Sequence, residues 1–134
     1  ETVILEVEVF PQTKKSPCRT VKLTEGNEDF GWRHVRKKHM CETRDPDEDD
    51  QANCFSISTE DVLSLLERLL QSPAVGKALL RGQGRIQNLQ LGRQRYRIDV
   101  EIASCAVATF FPIGPLEHGA VKCGDCNGSA GNSP

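Results

Sequence analysis

Six cysteines, Cys18, Cys41, Cys54, Cys105, Cys123 and Cys126, are spread over a chain of 134 residues, and they constrain its fold more than any other feature. An even number in a small domain reads as up to three disulfides, of a connectivity that sequence alone leaves open. Such bonds persist in oxidising compartments, so the expected location is secreted or extracellular. The competing reading is a metal site, because Cys123 and Cys126 have the C-x-x-C spacing of a zinc knuckle. That reading lacks a second close pair and has only His118 as a nearby alternative ligand. No metal and no cofactor are therefore expected. Asn127-Gly128-Ser129 matches a glycosylation acceptor.

The length fits one domain with a sizeable core, expected over 1–126, followed by a small, polar, flexible tail over 127–134. The chain begins at Glu1 without an apolar leader, as a mature protein or an excised domain would. No apolar run approaches the roughly 18 to 20 residues that span a bilayer, so no membrane partner is expected.

Periodicity supplies the elements. Val3, Leu5, Val7 and Val9 alternate with Glu6 and Glu8 in a half-buried strand, and Thr20 to Leu23 reads as a second short one. A short helix is predicted from Phe30 to Met40, because helical spacing brings Trp32, Val35 and His39 within about 60° of one another. Six carboxylates and one arginine over Glu42–Asp50 predict a solvated loop without a specific role. Ser58 caps the clearest helix with Asp61 as its capping-box partner, and Val62, Leu65, Leu66, Leu69 and Leu70 form its apolar stripe. Pro73 opens another short helix running through Leu80. Arg85–Leu91, Arg93–Ile102 and Cys105–Pro112 then read as an antiparallel meander. Helices before a three- or four-stranded antiparallel sheet define an α+β class, here a disulfide-stapled single domain.

Net charge is −2, which alone argues against nucleic-acid binding, but the distribution of charge argues for it. Arg33, Arg36, Lys37 and Lys38 crowd the first helix, and the stretch 81–97 holds five arginines with no acidic residue. The two-residue period of a strand puts Arg93, Arg95 and Arg97 on one face and Tyr96, Ile98, Val100 and Ile102 on the other. Such an arginine face suits a run of phosphates, or is simply a solvated outer face; charge alone leaves both open. His34 and Lys38 share a helix face, while His39 lies about 140° from His34, at the core edge. Cations beside an imidazole favour the neutral form that accepts a proton.

Phe30-Gly31-Trp32-Arg33-His34-Val35-Arg36-Lys37-Lys38-His39 resembles the G-[WF]-x-H-[IV]-x-x-[KR]-H helix of toxin-type endoribonucleases of the barnase/EndoU/colicin/RelE-like superfamily. Val107-Ala108-Thr109-Phe110-Phe111-Pro112 is similar to the segment that closes their sheet. The resemblance implies metal-independent cleavage of RNA by attack of a ribose 2′-hydroxyl on the adjacent phosphate. It makes His34 the candidate base or acid, Lys38 and Arg95 phosphate cations, Thr109 a donor to a non-bridging oxygen, and His39 a second candidate catalytic residue. Lys37, Arg93, Arg97 and Tyr96 are candidate substrate-binding residues, with Tyr96 the weaker because parity puts it on the core face. RNA is the expected substrate, a protein inhibitor or immunity protein a possible partner, and a monomer the expected state. The alternative is a non-catalytic secreted binding module, such as an inhibitor, effector or lectin-like domain, stabilised by disulfides.

Overall fold

The computed structural model describes residues 1–126; the expected tail, with Asn127, lies outside the described residues. The element order is β1 (Val3–Glu8), β2 (Thr20–Thr24), α1 (Trp32–His39), β3 (Asn53–Phe55), α2 (Thr59–Leu70), α3 (Pro73–Leu80), β4 (Arg85–Leu91), β5 (Gln94–Glu101), β6 (Ala106–Ile113) and β7 (Ala120–Lys122). A single 3₁₀ turn covers Cys123–Asp125. No described helix is long and apolar enough to cross a membrane.

Where the sequence pattern is strong, the elements form for the expected reasons. The Ser58 hydroxyl accepts a 3.2 Å bond from the Asp61 amide, satisfying one of the orphan donors at the start of α2. Val62, Leu66, Leu69 and Leu70 are buried, with Leu65 at the margin. Pro73 opens α3, where its missing amide proton costs nothing, and Ser72 caps it. Both helices pack on the inner face of the sheet, around Phe55, Tyr96 and Phe110, whose ring centroids lie 4.8 to 6.2 Å apart.

The domain is α+β and carries three disulfides, with a mostly antiparallel sheet. Its topology is richer than helices followed by a meander. The five-stranded sheet runs β1-β2-β6-β5-β4, so the N-terminal hairpin joins the C-terminal meander through a parallel β2–β6 pair. That seam is thin, a single bridge of Lys22 with Ala106 and a 2.9 Å bond from the Lys22 amide to the Cys105 carbonyl. Cys18–Cys105 sits at its end and clamps it, joining positions 87 residues apart. A second, two-stranded sheet pairs β3 with β7, both too short to leave a periodic signal.

Two further expectations are corrected. Arg93 is not part of a strand; with Gly92 (φ 60°) it forms the two-residue turn between Leu91 and Gln94. The acidic loop is not merely solvated. The Arg44 side chain, 8% exposed, bonds the Glu48 carbonyl and the Asp50 carboxylate, both at 2.9 Å. Glu42 accepts bonds from the Thr59 amide and hydroxyl at 2.7 and 3.0 Å, and Asp45 and Asp49 close tight turns. The carboxylates tolerate one another because most of these have a donor of their own.

All six cysteines pair: Cys18–Cys105, Cys41–Cys126 and Cys54–Cys123. The C-x-x-C cysteines therefore bond separate partners, and His118 is exposed. Peptide mapping of unreduced protein is expected to return these three linkages and no free thiol. Replacing Cys18 and Cys105 together by Ala should lower unfolding stability in urea by roughly 2–5 kcal/mol, as expected for a native disulfide in a small domain. Unchanged stability would mean that the β2–β6 seam holds without its clamp.

Candidate active site

Helix α1 is only eight residues long, too short to persist alone in water, so its position comes from what it docks on. Gly31, at φ 84°, caps it and donates a 2.9 Å bond to the Ala108 carbonyl of β6. A side chain at Gly31 would need an unfavourable left-handed backbone, and its Cβ would stand 2.9 Å from the Thr24 carbonyl. Trp32 and Val35 anchor the helix in the core. Arg36, Lys37, Lys38 and His39 fill its last turn, where positive charge suits the helix dipole.

This docking lays His34 and His39 against the outer face of β5 and β6. Cross-strand pairing there sets Arg95 opposite Ile113, Arg97 opposite Phe111 and Asp99 opposite Thr109. His34 Nε2 lies 3.0 Å from the Thr109 hydroxyl, and its Nδ1 lies 3.0 Å from the Glu28 carbonyl. A carbonyl can only accept, so Nδ1 carries the proton of the neutral ring. Nε2 then presents its lone pair to Thr109, which donates. His39 is anchored the same way, its Nδ1 donating to the Asn53 carbonyl at 2.9 Å. Its ring stacks on Phe111 at 4.6 Å and meets the edge of His34 at 5.6 Å. Burial pushes the His39 pKa down to about 4; the Asn53 carbonyl opposes the effect, and repulsion from His34, Lys38 and Arg97 reinforces it.

Arg97 also stands over Phe111, its guanidinium carbon 5.3 Å from the ring centroid. Its Nε and Nη2 donate to the two Asp99 oxygens at 2.9 and 2.8 Å, and this pairing holds the guanidinium all the more firmly charged. Two of its roughly five N–H groups are thus committed, and the rest of the fork can still meet an anion.

His34, His39, Thr109 and Arg97 therefore come together. Arg95 is exposed on the same face, and Lys38 is half-buried beside His39. Lys37 turns aside: it bridges Glu28 at 3.2 Å and Glu48 at 3.6 Å, and the Glu28 hydrogen bond raises its pKa. With Arg33 and Arg36 it lines a separate cleft of about 190 Å³ on the flank of α1. Arg93 sits in the β4–β5 turn, and Tyr96, 9% exposed, packs inside the sheet, so neither shares the site. Asp99, Phe111, Asn53 and the Glu28 carbonyl escape the sequence reading. Asp99 and Phe111 left a usable signal, since the two-residue period that groups the arginines also puts Asp99 on their face and puts Phe111 on that of Thr109.

Comparison with known proteins finds no match: no family model, no curated protein and no solved structure is significantly similar to the chain.

The buried His39 makes stability pH-dependent in a calculable direction. The unfolded chain takes up this proton near the ordinary value of 6.5, the folded chain only near 4. Between these values the unfolded state binds more protons, so stability present above 6.5 is lost as pH falls towards 4, by roughly 3 kcal/mol. Denaturant unfolding at pH 7 and about pH 4.5 should show a smaller acid loss in His39→Gln than in the parent chain. Equal losses would mean that His39 is not held neutral by its surroundings.

Proposed function

We propose that this chain is a secreted, toxin-type, metal-independent endoribonuclease that cleaves RNA by 2′-hydroxyl transesterification. The observation that carries the reading is the His34 ring. Its tautomer is fixed by a backbone carbonyl, and its basic nitrogen is aimed at a hydroxyl on a face that also holds Arg97. A base oriented by its second nitrogen is the arrangement that proton abstraction requires. In the free protein the Thr109 hydroxyl occupies the place that a ribose 2′-hydroxyl would take.

His34 Nε2 removes the 2′ proton, the 2′-oxygen bonds to phosphorus, and the bond to the 5′-oxygen breaks. The leaving oxygen takes a proton from the Lys38 ammonium or from water. Thr109, released from His34, donates to a non-bridging oxygen, and Arg97, Arg95 and Lys38 offset the negative charge that builds on phosphorus. His39, neutral at pH 7, supplies no acid; it keeps a second positive charge away from His34 and backs the Phe111 plate.

One observation favours the non-catalytic binding module instead: Arg97 and Lys37 already have carboxylate partners, which weakens the field available to a phosphate. Activity separates the two readings. Oxidised protein in EDTA should cleave RNA to products ending in 2′,3′-cyclic phosphate. His34→Ala should fold and lose about 10²- to 10⁴-fold in rate. Thr109→Val, losing one neutral hydrogen bond, should cost about five- to tenfold. A folded His34→Ala protein with undiminished cleavage would end the mechanism, and a parent chain that cleaves no RNA would leave the binding module in its place.

RNA affinity should also fall steeply with salt through counterion release, and replacing Arg95 and Arg97 by Gln should flatten that slope. An unaltered slope would show that the outer face of β5 takes no part in binding.

A further inference from the structure

Two of the three disulfides share one site. Cys54 and Cys123 are fully buried and Cys126 nearly so, and together they form a small cluster of their own, packed against Cys41, Ala52 and Val121 and apart from the main core. The sulfurs of Cys41, Cys54 and Cys126 all lie within 4.8 Å of one another, and Cys123 is bonded to Cys54. Four sulfurs thus converge from two pairs, Cys123 and Cys126 on the 3₁₀ turn and Cys41 and Cys54 from the end of α1 and from β3. The fold supplies the second pair that the C-x-x-C knuckle lacks in sequence.

We propose that Cys41, Cys54, Cys123 and Cys126, when reduced, form a tetrahedral four-thiolate site for one zinc ion. With metal–sulfur bonds of about 2.3 Å, a tetrahedral site needs sulfurs about 3.8 Å apart. The sulfurs of Cys41, Cys54 and Cys126 already lie within 4.8 Å of one another, Cys123 is held to this group by its bond to Cys54, and each bonded pair has to open by only about 1.7 Å, within reach of side-chain rotation. The backbone that carries them is tied without the S–S bonds. Cys54 pairs with Val121 across β3 and β7, the Cys41 amide bonds the Phe55 carbonyl at 2.9 Å, and the Cys123 amide bonds the Ala52 carbonyl at 2.8 Å. Gly124 adds a 2.9 Å bond to the Asp50 carbonyl. Such a frame lowers the ordering cost that metal binding would otherwise carry.

The chemistry balances. Each disulfide takes two electrons and two protons from a dithiol, which is oxidised to its own disulfide, so two dithiols free the four cysteines. Zinc then replaces four thiol protons. Cys18–Cys105, at the β2–β6 seam, takes no part. The segment after α1 therefore has a covalent staple in an oxidising environment and a metal staple in a reducing one.

The test uses the full chain, reduced with a phosphine and desalted without oxygen. Titration with cobalt(II) should saturate at one ion per chain, with thiolate-to-cobalt charge-transfer absorption and the d–d bands of tetrahedral geometry, and zinc should displace it. Cys18→Ser with Cys105→Ser should leave the stoichiometry unchanged; Cys123→Ser with Cys126→Ser should abolish it. Alkylation and mass spectrometry of the parent chain avoid any dependence on those variants folding. With zinc, only Cys18 and Cys105 should be labelled; without it, all six. Zinc should raise the Tm of the reduced chain and leave that of the oxidised chain unchanged. Octahedral cobalt spectra, or labelling of all six cysteines at the same rate with and without zinc, would overturn the proposal.

Discussion

The docking of α1 on β6 is the contact on which the candidate site depends. A helix of two turns with four positive side chains has little stability of its own, and its position is set by Trp32 and Val35 below and by the Gly31–Ala108 bond at its start. Because β6 pairs in register with β5, fixing the helix on β6 also fixes His34 relative to Arg97 and Asp99. Three independent elements are brought into one constellation by a single packing event. No member of it lies closer than several residues in sequence to its partner in another element, and His34 and Thr109 are 75 residues apart.

The disulfides protect that event at both ends. Cys18–Cys105 holds the seam through which β2, the strand leading into α1, reaches β6. Cys41–Cys126 and Cys54–Cys123 hold the segment leaving α1 against the C-terminal strand and turn. Parallel pairing over one bridge contributes little, so hydrogen bonding alone gives the β2–β6 end a weak hold, while at the other end the short β3 and β7 are helped by the backbone bonds of Cys41, Cys123 and Gly124. Covalent links placed there restrict the unfolded chain most, since each closes a long loop.

What was legible in the sequence follows from how local each determinant is. Ser58, Pro73 and the leucine stripe of α2 act within a few residues, and those helices form close to the expected bounds. The β4–β6 meander is also local, with Gly92 turning it, although Arg93 falls in the turn because a two-residue hairpin needs a second residue there. The place of β1 and β2 was hidden, because only Cys18, Gly31 and the buried side chains of a remote strand decide it. The arginine face was half legible. Alternation identified Arg95 and Arg97 correctly as outward, but a reading of charge that stops at Arg97 misses Asp99, the next residue on the same face. The acidic loop misled for the opposite reason: its composition conceals one arginine whose buried fork organises it.

Charge on the outer face is balanced locally rather than left as a broad positive field. Asp99 holds Arg97, Glu28 and Glu48 hold Lys37, and His39 is kept neutral by burial. Each pairing limits long-range attraction for a polyanion while fixing a cation's position to within a hydrogen bond. For a reaction whose negative charge grows only in the transition state, fixed position matters more than total charge, because preformed donors need no reorganisation when that charge appears. Arg97 fits this description: Asp99 takes two of its N–H groups, its guanidinium lies over the Phe111 ring, and the rest of its fork stays open to an anion. In the proposed ribonuclease reading, the slightly acidic chain acts on RNA through a few cations held at the reacting phosphate rather than through many.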